Sequence, residues 1–196
     1  MRAFPLLALA LAAGTVSVAQ AAPVTYQLDP THTFVVLSWQ HLGFSEPVAV
    51  AQISGGTLSF DAKDPAKSSL QVTLPLAKLD TFVPRLNEEF QSAQFFDTAK
   101  YPDATFKSIK VQALGGNRFR VVGELSVHGT TKPVTLDATL LKQGVNPMMK
   151  VQAIGFTATG TLKRSAFGVG AFVPYVSDSV SLRITTEGEV AKPATH

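Results

Sequence analysis

Histidines and carboxylates are the side chains of this chain that could carry acid–base catalysis or bind a metal ion. Of the four histidines, His32 and His41 have a third candidate nearby, the carboxylate of Asp29. An extended segment rises about 3.3 Å per residue, which separates His32 from His41 by about 30 Å and places them on opposite faces. A metal ion needs three or four ligands in one place. We therefore predict no metal site, and a local hydrogen bond for His32 in the turn after Asp29-Pro30.

Serine nucleophiles and paired carboxylates are the other sources of catalysis to consider. The chain lacks a Gly-x-Ser-x-Gly motif, and Ser165 has no base adjacent to it in sequence. Glu88 and Glu89 are neighbours on a predicted helix, where successive side chains point about 100° apart and do not face one site. No glycine-rich phosphate loop follows a predicted strand. These residues favour no catalytic mechanism, and no cofactor is predicted.

The first residues of the chain have the pattern of an export signal. Arg2 precedes an almost wholly apolar run over residues 4–13, and Ala19-Gln20-Ala21 offers small residues where a signal peptidase cleaves. The run is shorter than the roughly 20 residues that span a bilayer, which disfavours the alternative of a membrane anchor. We predict a cleaved signal peptide over 1–21, a single domain over 22–196 and a periplasmic location.

Composition narrows the class of protein further. The formal net charge is +3 and no cysteine occurs, so stability must come from packing and hydrogen bonds rather than disulfides. No cluster of basic residues indicates nucleic-acid binding. No other apolar run reaches 18 residues, which argues against an integral membrane protein. The 13 phenylalanines fit either a packed core or the lining of an apolar pocket.

The elements that must position these side chains are mostly strands, separated by frequent turns. Turn residues at Gly115-Gly116-Asn117 and His128-Gly129-Thr130 predict two hairpins. Strand spacings of about ten residues favour a barrel or a sandwich over βαβ units. The predicted strands are 26–28, 33–41, 49–53, 57–61, 69–76, 105–114, 119–127, 132–141, 150–162 and 179–190.

Residues 83–92 break the strand pattern and predict a short helix. Pro84 suits the first helical position, and the two glutamates that follow suit the positive end of the helix dipole. Leu86 and Phe90 lie four residues apart and give the helix an apolar edge. That edge is expected to close one end of a barrel.

The first long strand assigns side chains to two faces. Alternation places Val35, Leu37, Trp39 and His41 on one side and Phe34, Val36, Ser38 and Gln40 on the other. We predict that the first set points into an interior cavity. Two roles stay open for His41: a hydrogen bond to the polar end of a ligand or a buried water, or packing as a satisfied core residue.

The sequence also contains a series of short motifs that together resemble those of a known family. In chain order they are Asp29-x-x-His32-Thr33, His41-Leu42-Gly43-Phe44-Ser45, Gly56-Thr57-Leu58-Ser59-Phe60-Asp61, Ser92-Ala93-Gln94-Phe95-Phe96-Asp97, Tyr101-Pro102-Asp103-Ala104-Thr105-Phe106, Gly123-Glu124-Leu125, Gly129-Thr130-Thr131-Lys132-Pro133-Val134 and Arg164-Ser165-Ala166-Phe167-Gly168. Their order and spacing, from Tyr26 to Val190, resemble the YceI-like family of exported polyisoprenoid-binding proteins.

The resemblance implies a mainly β fold, an eight-stranded antiparallel lipocalin-like barrel with a short helical insertion near residues 83–92. It implies an interior that holds a long isoprenoid chain, such as a polyprenyl phosphate or the tail of an isoprenoid quinone, and no catalysis. A homodimer is left open. The alternatives are an enzyme that acts on an isoprenoid or quinone through Asp29, His32 or His41, and an envelope stress protein without a bound lipid.

The candidate ligand-binding residues combine the inward face of the first strand with aromatic and basic positions of the motifs. They are Val35, Leu37, Trp39, His41, Phe90, Phe106, Arg164 and Phe167. Arg164 has two expected roles. It could hold a phosphate head group bidentately, or pair with Asp29 or Asp178 and tie the barrel end together.

The chain also departs from the family pattern at several positions. Ala49-Val50-Ala51 replaces a Gly-x-Phe after the first strand. Leu86-Asn87 and Glu89-Phe90 replace an Arg-Asp and a His-Leu in the helix, and Ala166 replaces an Asp. We expect these changes to affect the cavity shape and the contacts of a ligand head group.

Overall fold

A computed structural model describes residues 22–191, which form ten β-strand segments, one α-helix and three 3₁₀ turns. The strands are β1 (Val24–Leu28), β2 (Phe34–His41), β3 (Val48–Gln52), β4 (Gly55–Phe60), β5 (Ser69–Pro75), β6 (Asp103–Gly115), β7 (Arg118–Val127), β8 (Thr130–Val145), β9 (Gln152–Lys163) and β10 (Val176–Glu189). The helix, α1, spans Pro84–Gln91, and the 3₁₀ turns span Pro65–Lys67, Leu76–Lys78 and Arg164–Phe167. The predicted signal peptide over 1–21 lies outside the described residues.

The ten segments build an eight-stranded antiparallel barrel, which confirms the predicted fold. Hydrogen bonding follows the order β1-β4-β5-β6-β7-β8-β9-β10, and β1 pairs back onto β10 to close the ring. The other part of β10 pairs with β2, and β2 pairs in turn with β3. The first strand of the barrel is thus split into β1 and β2, and the second into β3 and β4. Asp29-Pro30 lies in the first break, because proline cannot donate to a strand ladder.

Aromatic side chains fill one half of the barrel interior. Tyr26, Phe60, Val111, Phe119, Ile154 and Phe156 form one buried cluster, each at most 9% exposed. Phe60 meets Phe119 and Phe156 edge-on, at ring-centroid distances of 5.7 and 5.6 Å. Such edge-to-face pairs are a favourable aromatic geometry. This half is called the closed end below, and the half that contains His41 and the start of β10 is called the open end.

Helix α1 begins and ends where the sequence predicts, with Pro84 at its first position. The expected role of the glutamates at the helix dipole is wrong. The first turn contains no acidic residue, because Glu88 lies in the second turn. The start of the helix is instead organised by Asn87, whose Oδ1 accepts hydrogen bonds from the Thr81 amide (2.7 Å) and hydroxyl (2.6 Å).

Most predicted strand boundaries differ from the observed ones by one or two residues, and the largest differences are at the end of β8 and the start of β10. β8 continues to Val145 and β9 begins at Gln152, because the turn between them is tighter than expected. Asn146 closes that turn, its Oδ1 accepting hydrogen bonds from the Met148 and Met149 amides at 2.9 and 3.1 Å. β10 begins at Val176 and contains a register shift before Val180.

Candidate functional site

The open end of the barrel contains a cavity of about 650 Å³. Its lining is apolar except for Thr33, His41, Thr81, Glu89, Arg164 and Thr186. Four lining residues are also exposed to solvent, namely His41, Val48, Val83 and Phe172. The mouth of the cavity therefore lies where these four residues meet the surface, and its interior extends toward the closed end.

Strand β2 contributes one wall through its alternating side chains. Val35, Leu37, Trp39 and His41 line the cavity, whereas Val36 and Ser38 line a shallow groove on the outside of the barrel. Opposite β2 in the register, Ala49 and Ala51 of β3 are buried against the same space. Small side chains at these two positions leave room between the wall and the centre of the cavity.

A second wall comes from the excursion over residues 76–102, which contains α1. Phe90 of α1 packs against Trp39 at 5.7 Å, Phe95 at 5.2 Å and Phe96 at 5.8 Å between ring centroids. Phe95 in turn contacts Phe172, at 6.2 Å. These five rings run from the barrel wall to the loop at the mouth, so the excursion completes the cavity on the side that β3 leaves uncovered.

Hydrogen bonds attach this excursion to the barrel at one point of β3. Val50 exchanges two backbone bonds with Asp80, at 2.8 and 2.9 Å. Asp80 also accepts bonds from the Phe82 amide and the Asn87 side chain, which hold its pKa below the ordinary value. The position of α1 over the cavity thus depends on a short polar network rather than on a strand ladder.

Two glycines in the strands make room for the deeper lining side chains. A Cβ on Gly123 would lie 2.3 Å from the Phe106 ring, and one on Gly160 would lie 2.7 Å from Leu136. Both distances are below van der Waals contact. Phe106 and Leu136 can therefore occupy their positions only because the neighbouring strands carry no side chain there.

Arg164 lines the cavity at the open end and ties the loop that follows its own 3₁₀ turn to the start of β10. Its guanidinium donates to three backbone carbonyl oxygens, those of Val169 (2.8 Å), Val176 (2.9 Å) and Ser177 (2.9 Å). The guanidinium has five N–H groups, so two remain for other acceptors. Partial burial lowers its pKa, although the arginine stays charged.

The expected ion pair between Arg164 and Asp29 or Asp178 is wrong. Asp178 accepts hydrogen bonds from the amide and hydroxyl of Ser165, both at 2.8 Å, and these lower its pKa. Asp29 is occupied by Thr31 and His32. The guanidinium of Arg164 instead bonds backbone carbonyls of the following loop and of the start of β10, so the tie at the barrel end is made without a carboxylate.

Comparison with known proteins places the chain in a family. The family model of the YceI-like domain matches residues 26–188. The chain belongs to the YceI-like family. It is 37% identical over 185 residues to Protein YceI from Escherichia coli O157:H7, covering 93% of this chain and 96% of that protein.

Solved structures share the YceI-like barrel. Burkholderia cenocepacia BcnA superimposes with a TM-score of 0.73 at 25% identity, over 82% of this chain and 98% of that one. A domain from Saccharophagus degradans, described as a polyisoprenoid binding domain implicated in plant cell wall breakdown, gives a TM-score of 0.57 at 15% identity. That match covers 85% of this chain and 98% of that domain, and at this identity the likeness extends to the fold alone.

The positions where this YceI-like chain departs from the family pattern lie around the cavity. Ala49, Ala51, Leu86, Glu89 and Phe90 all line it. Asn87 does not, and it organises the start of α1 as described above. Ala166 lies in the 3₁₀ turn next to Arg164. These positions therefore lie on the two walls made by β3 and α1 and at the end that holds Arg164.

His32 and His41 have different surroundings in the structure. His32 Nδ1 is 2.6 Å from Asp29 Oδ2, the local bond that the sequence predicts, and this pair does not line the cavity. The bond lowers the pKa of Asp29 to about 2 and raises that of His32. His41 lines the mouth but is exposed, so its interpretation as a satisfied core residue is wrong.

The structure brings all eight candidate ligand-binding residues to this one cavity. Contact between them and a ligand stays a prediction. Five further lining residues, all on β10, were not predicted from the sequence, namely Val176, Val180, Leu182, Ile184 and Thr186. From Val180 onward they alternate as in β2, so the same period-two rule could have found them. Within residues 22–191, no three His, Asp or Glu residues are grouped as metal ligands, and no helix is long and apolar enough to cross a membrane.

Proposed function

We propose that this protein binds a long isoprenoid lipid in the periplasm, with the apolar tail in the cavity of the open end. The observation that carries the proposal is the lining, in which six polar side chains are outnumbered by apolar ones on every wall. Such a surface offers no fixed pattern of hydrogen bonds to a sugar, nucleotide or peptide. It matches a ligand whose main property is apolar surface.

The energetics of burial support a tail as the main determinant of affinity. Burying one methylene contributes about 0.8 kcal/mol, so a five-carbon unit contributes roughly 3–4 kcal/mol before ordering costs. A carbon group needs a volume similar to that of a liquid water, about 30 Å³, so the cavity holds on the order of 20 carbons. That is about four isoprene units. A longer chain would leave through the mouth.

The same geometry favours binding over catalysis. Asp29 and His32 lie outside the lining, so an enzyme acting on a lipid in the cavity would have to use His41 or Glu89 at its mouth. Among residues 22–191, neither side chain has the oriented hydrogen-bond partner that a general base needs. The family and the apolar cavity therefore support a carrier or scavenger of lipids, and a free lipid-binding protein in the periplasm fits the predicted signal peptide.

Extraction of the protein from its native host tests this function. The purified protein is extracted with organic solvent and analysed by mass spectrometry, and we expect a polyprenyl species in stoichiometric amount. The intact mass of the purified protein is expected to match a chain without residues 1–21. A protein that carries no lipid and does not bind added geranylgeraniol would contradict the proposal.

Trp39 gives a second measurement, because it is the only tryptophan and lines the cavity. Geranylgeraniol added to delipidated protein is expected to shift or quench its emission. An unchanged emission, with binding demonstrated by calorimetry, would place the tail elsewhere.

A further inference from the structure

Three loops with exposed apolar side chains surround the mouth of the cavity. They are residues 42–44, 82–83 and 172–175, together called the mouth rim. Phe44 is 89% exposed, Phe82 65% and Tyr175 74%. The Leu42 amide donates to the Tyr175 carbonyl at 3.0 Å, which joins two of the loops. The loop over residues 82–83 borders the same mouth, because its Val83 lines the cavity together with Phe172.

The backbone of the mouth rim gives an independent observation. Each loop contains one bulky apolar residue in the left-handed region, Leu42 (φ 53°), Phe82 (φ 63°) or Phe172 (φ 63°). Glycine and asparagine adopt this conformation at lower cost than leucine or phenylalanine. The other non-glycine residues of positive φ within residues 22–191 are polar, namely Asp97, His128 and Lys150.

Leu42, Phe82 and Phe172 are thus unfavourable in two ways, because their apolar side chains are exposed and their backbone conformation is costly. At all three rim positions a polar residue would relieve the backbone and remove apolar surface from water. Phe172 also packs against Phe95 and lines the cavity. Leu42 and Phe82 do not line it, so the cavity does not explain why these two residues are apolar. An exposed apolar patch of this kind marks a surface that meets another apolar phase or a partner.

The chemistry of the mouth rim points to a lipid surface. Its three ranges contain no charged residue. Aromatic rings such as Phe44, Phe82 and Tyr175 are favoured at the boundary between hydrocarbon and water. The rim is also continuous with the lining of the cavity, so a bilayer that covered it would bring hydrocarbon into contact with the cavity interior.

We propose that the mouth rim inserts into the surface of a lipid bilayer, so that a tail passes between membrane and cavity without crossing water. This proposal rests on the proposed function. The charged residues within two positions of the rim in sequence are Glu46, Asp80 and Arg85, so both signs occur and they form no basic patch. Insertion is therefore driven by apolar contact, and binding depends little on anionic lipid or on salt.

Flotation with phosphatidylcholine vesicles tests the insertion. We expect the wild-type protein to float with the vesicles. The triple variant Phe44→Asn, Phe82→Asn, Tyr175→Asn is expected to partition about a thousandfold less, because each of the three rings contributes burial worth about a factor of ten. None of the three side chains lines the cavity. The matched control is Met148→Asn, at a side chain 87% exposed on the β8–β9 turn at the closed end.

Binding of geranylgeraniol in solution, read from Trp39 emission, separates this proposal from the proposed function. The triple variant is expected to bind the alcohol as the wild type does. A wild type that binds the alcohol but does not float overturns the insertion and leaves the lipid-binding function standing. A wild type that does neither contradicts both.

Two further outcomes would also overturn the insertion. If Met148→Asn reduces flotation as much as the triple variant does, another face meets the membrane. If the wild type sediments as a dimer that the triple variant loses, without flotation, the rim joins two copies of this chain. Should the triple variant unfold, the single variant Phe44→Asp replaces it, with an expected loss of at least about tenfold.

Discussion

The two ends of this barrel have the same strands but different interiors. At the closed end, three phenylalanine rings meet edge-on within 6.1 Å of one another. At the open end, side chains of the same apolar kind surround a cavity of about 650 Å³. The ladder of backbone hydrogen bonds continues through both. The barrel can therefore keep one half hollow because the other half is packed.

Polar contacts supplement the apolar packing at the open end. Arg164 bonds three backbone carbonyls, and Asn87 and Asp80 fix the start of α1. Hydrogen bonds of this kind contribute less than a well-packed aromatic cluster, but they do not fill space. The closed end is thus stabilised by packing that fills its interior, whereas the open end is stabilised in part by polar contacts that leave space in its interior.

Phe60→Ala is expected to give the largest loss of stability. The side chain is 4% exposed and contacts two other rings, so its removal leaves a cavity that costs about 3–5 kcal/mol in free energy of unfolding. Urea denaturation measures the loss. The matched variant at the open end, Phe96→Ala, is expected to cost clearly less, and equal losses would remove the distinction between the two ends.

Arg164→Met tests the polar tie at the open end. Losing three bonds from a charged donor is expected to lower the free energy of unfolding by about 2–3 kcal/mol, with or without ligand. Arg164→Lys keeps the charge and is expected to lose less. If Arg164→Met leaves stability unchanged and weakens only the binding of geranylgeranyl phosphate relative to geranylgeraniol, the residue holds a head group instead.

Adding volume at each end compares the interiors directly. Ala51→Phe places a ring in the cavity, and we expect a stability change below about 1 kcal/mol together with loss of geranylgeraniol binding. Val111→Phe makes the same kind of change in the packed cluster and is expected to cost about 1–3 kcal/mol while binding persists. The two measurements are urea denaturation and Trp39 fluorescence. A large loss of stability in Ala51→Phe would mean that the cavity is not free space.

The Asp29–His32 pair, at the junction of β1 and β2, is expected to give the smallest effect. The lowered pKa of Asp29 stabilises the fold above its ordinary value of 3.8, and this is lost as the pH falls through about 2. The raised pKa of His32 stabilises the fold below 6.5, and this is lost as the pH rises through the raised value. His32→Gln should therefore lower the melting temperature more at pH 5 than at pH 9. A difference that grows toward pH 9 would contradict this assignment.

Alternation within a strand made part of this site predictable. It assigns Val35, Leu37 and Trp39 to one face of β2, and the structure places that face on the cavity. It could not tell Phe106, which lines the cavity, from Phe119, which fills the closed end, because both alternate inward on their strands. That distinction depends on where along the barrel axis the interior is filled.

Contacts between distant loops could not be predicted from spacing. The partners of Arg164 are carbonyl oxygens, which every residue has, so no side-chain pattern marks them. The same holds for the two bonds between Val50 and Asp80, which attach the α1 segment. The mouth rim appears only when residues 42–44, 82–83 and 172–175 are brought together by the fold.

The excursion over residues 76–102 leaves β5 and returns to β6 at a single rung of the ladder, where Pro75 pairs with Asp103. In topological terms it is only a long hairpin loop, although it builds a wall of the cavity. Insertions, deletions and substitutions in it leave the register of the eight strands untouched. Changes in this loop can therefore reshape one wall of the cavity while the strands that form the other wall keep their pairing.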